Sequence, residues 1–459
     1  MSKDKTDASS KRRRLSQHAA WAMAVGGMIG GGIYTLAGVI LGLAGSLAWL
    51  SLLLGSLIAL ATGRSYARLT FAIAQEGVPV ASLVKKERYH LASIVAWWLL
   101  LVYVLATAVY AYTLGQYVGR ALGASPWVVV GIIGGAVVAL VVVNLIGIHE
   151  PSGVQIAAVW IELAILAAIA ALGLTHYRAA NVARGVPEPN VMGVLSGMAA
   201  TFIAFEGFEM LAYDVRELRH PIRTLKRGLP AAVIAVAVAY ALVTMGAASL
   251  VGADVLVRQK ENALAVAGER AAGGLGLFVV TLAACASATS AINATLFSVA
   301  RLARTAAEGR LVPGIFKRTN RNQIPYWGLI LLGGAAACLA AVSSLEPLVQ
   351  AASLAFLVLF AFVNLLTFVE SKFKDPISLV AAIASLGAAV LVARQLILAH
   401  PFALGGFALV WALSLVAHWM TQWRRRARGA PDLSDDPVVQ QKRNAVVSEL
   451  RTSKFDESA

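Results

Sequence analysis

Stretches of about twenty consecutive apolar residues recur along this chain, and they dominate what it can become. A hydrocarbon layer about 30 Å thick is crossed by about 20 residues of helix. Inside that layer each backbone N–H and C=O must be paired within the protein, which a helix achieves on its own. Such runs fall at 19–41, 44–63, 91–118, 126–146, 152–174, 191–214, 228–251, 274–300, 326–344, 347–369, 377–393 and 401–422. The expectation is an all-α polytopic membrane protein with twelve transmembrane helices. With 59% of residues hydrophobic and 14% charged, composition excludes an ordinary soluble domain. No small-residue cleavage site follows the first run, so it reads as a span and not a leader.

A net charge of +15 invites a nucleic-acid partner, but the placement of the charges argues against one. Counting from an inside N-terminus, 32 of the 39 Lys and Arg lie in the N-tail, 64–88, 216–227, 301–321, 372–374 and after 423. The seven on the other side are Arg120, Arg178, Arg184, Arg258, Lys260, Arg270 and Arg394. This is the positive-inside bias, and it predicts a multi-pass cell-membrane protein with both termini cytoplasmic. The clusters at Lys11–Arg14 and Arg424–Arg428 are expected to meet anionic lipid headgroups. Cys285 and Cys338 both lie in apolar runs, which argues against a disulfide framework or a cysteine metal site. His149, His176 and His400 sit in connecting loops, too scattered for a metal site.

Residues 26–32 read GGMIGGG in the middle of the first run. Each glycine weakens a helix by roughly 1 kcal/mol against alanine, and loosened backbone at that depth survives only against protein or a watery cavity. Residues 204–210, AFEGFEM, interrupt the sixth run in the same way. Paired interruptions in two halves point to a binding site at a repeat interface. The boundaries that follow are a basic N-tail over 1–18, a first repeat over 19–174, a second over 191–369, two further helices over 377–423 and a tail over 424–459, polar and expected to be disordered. An odd number of spans per repeat makes the halves inverted. The segments Gly63–His90, with Gly77 and Pro79, and Arg301–Pro325 read as short amphipathic connectors or as places for an inner gate.

A broken helix leaves free N–H groups at the start of its second half, near Gly31 and Gly32, where a carboxylate binds well. Carbonyls near Met28 and Ile29 are left to accept from an ammonium. The competing reading is a glycine face for close helix packing. Glu206 and Glu209 lie inside the sixth span and Glu162 inside the fifth. An acid at a span's centre costs about 2.5–3.5 kcal/mol, so each is a functional candidate. Glu206 faces a substrate or is a static brace; Glu209 and Glu162 move protons or form structural hydrogen bonds. Ser287, Thr289 and Ser290 offer hydroxyls for a cation site, although such groups also bond to their own backbone. Asn144 and Asn293 read as interhelix hydrogen-bond glue. Trp97, Trp98, Trp127, Trp327, Trp411 and Trp419 read as interfacial anchors.

At these residues the chain resembles the amino acid–polyamine–organocation permeases, from about Ser16 to about Pro325 and more weakly beyond. MIGGGIY resembles the family's first-helix pattern, and FIAFEGFEM followed by ELRHPIRTL resembles the sixth. RLARTAAEGRLVPGIFKRTNRNQIP at 301–325 resembles the stretch after span 8, and VNLIGIHEPSGVQ at 143–155 the link between spans 4 and 5. The resemblance implies a LeuT-like five-plus-five inverted repeat, with two C-terminal helices outside it, and alternating access. It implies that Gly30, Gly31 and Gly32 hold a substrate carboxylate. Carbonyls near Met28, Ile203 and Glu206 would hold its amine. Ile203, Phe205 and Phe208 would shape the pocket beside Gly207. Glu209 matches the acid following the sixth-helix glycine, a candidate for proton sensing in relatives.

The chain departs from the family at four places. Glu162 stands where many relatives carry a cation-mimicking lysine. Arg68, Gly77-Val78 and Arg216 replace the usual acid, Gly-Gly and second acid. These changes bear on the inner gate and the coupling ion. Taken together, the sequence predicts a secondary active amino-acid transporter, a symporter or exchanger driven by H⁺ or Na⁺, protons first, through Glu162, Glu209, Ser287 and Ser290. No redox or nucleotide cofactor is expected, and no Gly-x-x-x-x-Gly-Lys loop for ATP drive occurs. The rivals are a polyamine or organic-amine transporter, a potassium transporter or channel, and a membrane enzyme.

Overall fold

The computed structural model describes residues 15–30, 32–73, 78–147, 152–213, 215, 218–427, 436–441 and 444. The expectations for Lys11–Arg14, Gly31, Gly77, His149, Arg216 and most of the C-terminal tail lie outside the described residues. Among the described residues the chain is helical throughout, with one isolated bridge between Leu15 and Leu218.

The helices are α1 (Gln17–Ile29), α2 (Gly32–Ala44), α3 (Ala48–Ile73), α4 (Val78–Lys85), α5 (Tyr89–Leu122), α6 (Pro126–Ile146) and α7 (Ser152–Thr175). After the short α8 (Ala179–Val182) come α9 (Val191–Ala200), α10 (Met210–Tyr213), α11 (Pro221–Arg223), α12 (Leu229–Val251) and α13 (Ala253–Arg258). The last are α14 (Ala263–Glu308), α15 (Tyr326–Val342), α16 (Leu345–Glu370), α17 (Pro376–Ala399) and α18 (Pro401–Ala427). Eight described segments are long and apolar enough to cross a membrane: 32–73, 89–122, 126–146, 153–175, 221–251, 260–308, 345–370 and 376–399. The runs at 191–214 and 326–344 give the shorter apolar helices α9 and α15. The protein is therefore an all-α, multi-span membrane protein.

Local signals set the helix ends. Ser16 accepts from the Ala19 N–H to cap α1, and Asn190 accepts from Gly193 N–H to cap α9. Prolines open α6 and α17, where their missing N–H is not needed. The long α14 carries non-helical backbone at Ala272 and Gly273, close to where the sequence starts its eighth span at 274.

The core is centred on α5, 83% of whose apolar window is buried; α6 and α7, at 22% and 33%, lie with most of that surface outward. Asn144 on α6 donates to Asn293 on α14 at 2.6 Å, the interhelix bond expected of this pair. Trp127 is 85% exposed. Trp98 instead packs inward and donates to the Ala355 carbonyl at 3.2 Å.

Candidate functional site

Both sequence interruptions are real breaks, and they meet. The helix α1 ends at Ile29; Gly30 turns away with φ 34° and ψ −116°, its N–H still bonded to the Gly26 carbonyl. The second half restarts at Gly32, and Gly31 lies outside the described residues. In the sixth run α9 stops at Ala200, a 3₁₀ turn spans Phe202–Phe205, and Glu206 is extended at φ −64° and ψ 146°. Gly207 follows with φ +112° before α10 begins at Met210. The breaks touch backbone to backbone, since a Cβ on Gly207 would lie 2.7 Å from the Gly27 carbonyl carbon. Gly32 faces the Cα of Ala204 in the same seam. Met28, Ile29, Ile203, Phe205 and Phe208 are all buried there. The Phe208 ring packs on Phe360 and Tyr66, with centroids 5.4 and 6.3 Å away.

Four groups that the sequence reading did not single out brace these breaks. The Tyr240 hydroxyl lies 2.7 Å from the Met28 carbonyl and 3.2 Å from that of Ala204, so one side chain reaches both broken helices. Ser353 Oγ on α16 accepts from Ile203 N–H and sits 2.9 Å from the Ala200 carbonyl. Tyr103 and Tyr110, both on α5, donate to Glu209 and Glu206. A signal for the last two was present, because Tyr103, Tyr110 and Tyr117 recur every seventh residue and so share one face of α5. The Met28 carbonyl, expected to await an ammonium, already has a hydroxyl donor.

The three membrane acids sit in different surroundings. Glu209 is fully buried; one carboxylate oxygen accepts from Tyr103 at 3.1 Å and the other from Gly207 N–H at 3.0 Å. It therefore holds the turn it follows in sequence. Glu206 is 1% exposed; Oε2 accepts from Tyr110, and Oε1 is buried with no hydrogen-bond partner among the described residues. Glu162, on α7, accepts from the Tyr34 hydroxyl on α2 at 3.0 Å. With Ser287, Ser290 and Gly26 it lines a largely apolar cavity of about 320 Å³ between α7 and α14. Ser287 donates to the Gly30 carbonyl at 3.1 Å, which links this cavity to the first break. Of the four proposed coupling groups, Glu162, Ser287 and Ser290 share the cavity, while Glu209 is not part of its lining.

Arg68, which departs from the family pattern, has a partner. It and Arg64, one turn apart on α3, both bond Asp375 in the link before α17. The Asp375 carboxyl is 3% exposed, and burial alone would push its pKa up. The Ser378 hydroxyl, the Arg64 hydrogen bond and the charges of Arg64 and Arg68 outweigh burial and hold it below the usual carboxylate value. Elsewhere, Lys260 pairs with Glu346 at 2.7 Å and Tyr112 donates to Glu261 at 3.0 Å. Among the described residues, no group of three or more His, Cys, Asp and Glu is arranged to hold a metal ion.

A family model described as "Amino acid permease" matches residues 15–429. An uncharacterised protein of Methanocaldococcus jannaschii is 26% identical over 77% of this chain and 82% of its own. An uncharacterised transporter of Mycobacterium tuberculosis is 28% identical over 77% of this chain and 79% of its own. Cationic amino acid transporter 4 of Mus musculus is 26% identical over 77% of this chain and 59% of its own. Two glycine breaks meeting inside a multi-span helical bundle, and a family match across nearly the whole of that bundle, lead to one assignment. The chain belongs to the amino acid permease family, consistent with the amino acid–polyamine–organocation superfamily, and is a membrane transporter of small polar or charged solutes and not an enzyme.

Proposed function

We propose that this protein is a secondary active transporter of amino acids that works by alternating access. The observation that carries this reading is the meeting of the two breaks, Gly27 against Gly207, with a helix restarting at Gly32. The start of α2 carries the partial positive charge of a helix N-terminus, which favours a carboxylate. Gly30, Gly31 and Gly32 are the proposed carboxylate cradle, with the backbone at Met28, Ile29, Ile203, Glu206 and Gly207 toward the amine. Phe205 and Phe208 would bound the side-chain pocket. The name of the mouse relative, cationic amino acid transporter 4, supports this substrate class.

The same reading assigns twelve spans as a five-plus-five inverted repeat, 19–174 and 191–369, with two further helices, and places both termini in the cytoplasm. Glu162 is the proposed proton site, with Ser287 and Ser290 beside it and Glu209 as a second acid. Its bond to Tyr34 would let its charge state act on the second half of the broken helix. One charge moving with the substrate draws about 2.3 kcal/mol per 100 mV from the membrane potential.

The test is uptake of a radiolabelled amino-acid panel into proteoliposomes under imposed pH or Na⁺ gradients. Accumulation driven by an inward proton gradient is expected. Uptake indifferent to both gradients would reject driven symport, and no uptake or exchange of any amino acid would reject the substrate class. A polyamine or organic amine is the second reading, favoured by the two acids in the sixth-run break.

A further inference from the structure

Within that amino-acid reading, on which this inference rests, one atom is left unexplained. Glu206 Oε1 is buried at the seam of the two breaks and has no hydrogen-bond partner among the described residues. Its sister oxygen takes the Tyr110 hydroxyl, and the Tyr110 ring in turn lies against Gly30, where a Cβ would come within 3.1 Å of it. Tyr110 thus links the acid to Gly30, and Gly207 follows the acid in the chain. Its nearest charged neighbour is another acid, Glu209, which already has a donor on each oxygen.

A carboxylate buried without a cation is costly by several kcal/mol. Protonation on Oε2 removes the charge and lets that oxygen donate to the Tyr110 hydroxyl, but leaves Oε1 a buried acceptor with no donor among the described residues. An ammonium or guanidinium would bring charge and donors together, in a charge-assisted bond stronger than a neutral one. Glu206 is not required to hold the break open, because Glu209, Tyr240 and Ser353 do that through other atoms. A residue dispensable to the architecture, buried at such a seam and short of one cation, is placed to read the substrate.

We propose that Glu206 is the counter-ion for a second positive charge on the substrate, so that the transporter selects basic amino acids over neutral ones. The carboxylate end would lie at the start of α2 and the side-chain cation at Glu206 Oε1. Neutral amino acids would leave the acid unpaired, and a site with an unpaired buried polar group discriminates strongly.

Competition in proteoliposomes decides this, with lysine, leucine and putrescine each tested against a labelled tracer. The wild-type protein is expected to take lysine over leucine by at least about tenfold. Glu206→Gln should bring that ratio close to one while leucine uptake persists. Tyr110→Phe keeps the acid and should retain the preference for lysine, which serves as the reading if Glu206→Gln does not fold. A wild-type protein that takes leucine as well as lysine overturns the inference, as does an unchanged ratio in Glu206→Gln. Either result leaves amino-acid transport itself standing. Uptake of putrescine with no uptake of either amino acid would instead remove the carboxylate cradle, and with it the proposed function.

Discussion

Gly207 turns the chain through φ +112°, and a side chain there would meet the Gly27 carbonyl carbon at 2.7 Å. Neither half of that problem has a cheap solution, because both neighbours are backbone. Gly207→Ala is expected to destabilise by about 2–4 kcal/mol, combining a left-handed φ with overpacking. Gly134 and Gly334 have nothing within 4 Å of an added Cβ, so alanine there should be neutral. Thermal unfolding in detergent checks the pair; a Gly207→Ala midpoint equal to that of Gly134→Ala would refute the close approach. Tyr240→Phe removes a hydroxyl from beside the Met28 and Ala204 carbonyls and should lower stability by about 1–3 kcal/mol, read by the same unfolding. The glycines and acids of this region were legible in the sequence because each is expensive in a membrane helix. The tyrosines were not, since a ring with one hydroxyl passes equally for core packing. Only the sevenfold spacing of Tyr103, Tyr110 and Tyr117 marked them. That Glu209 would spend its oxygens on Tyr103 and its own turn could not be read from a pattern, since it depends on how α5 lies against the second break.

Single helices were read well where apolarity and helix end together, and poorly where they part. The apolar run ending at 63 continues in the structure as α3 to Ile73. It can do so because Arg64 and Arg68 find Asp375, so the polar end is stabilised by a partner more than 300 residues away in sequence. No window of hydropathy sees such a partner. The segment 63–90, read as a short amphipathic helix with a turn, resolves into the end of α3 and α4, and Lys86 and Ser82 on or beside α4 reach Glu370 at the end of α16. These contacts tie α3 and α4 to α16 and α17. The Asp375 carboxyl is depressed in the folded protein, so its contribution is present at neutral pH and is lost as pH falls below the usual carboxylate range. Asp375→Asn should therefore melt earlier than wild type at pH 7, and the gap should close on acidification. A gap independent of pH would mean that the carboxylate charge does not hold this joint.

Across the whole molecule, the two breaks can serve alternating access only if elements joined in this structure separate during a cycle. The start of α1 is joined to the chain beyond the second break. Leu15 bridges Leu218 in parallel, and Arg219 N–H donates to the Leu15 carbonyl at 2.9 Å. On the proposed orientation this joint closes the inner face, at the opposite end of α1 from Met28 and Gly30. The α1 segment therefore has a fixed lower end here and a glycine hinge above, with His18 held at 3.2 Å from the Trp160 Nε1–H on α7. Neighbouring residues on bridged strands lie within reach of a disulfide. The variant Leu15→Cys/Leu218→Cys, made with Cys285 and Cys338 replaced by alanine, should cross-link under mild oxidation. Uptake should then fall to background and return on reduction, while binding of the substrate from the outer face survives. The single-cysteine variants control for loss of the leucines themselves. Full uptake by the cross-linked protein would show that α1 and the Leu218 segment travel as one body. The opening of the inner face would then have to lie elsewhere, with the Arg64–Arg68–Asp375 joint as the next contact to break.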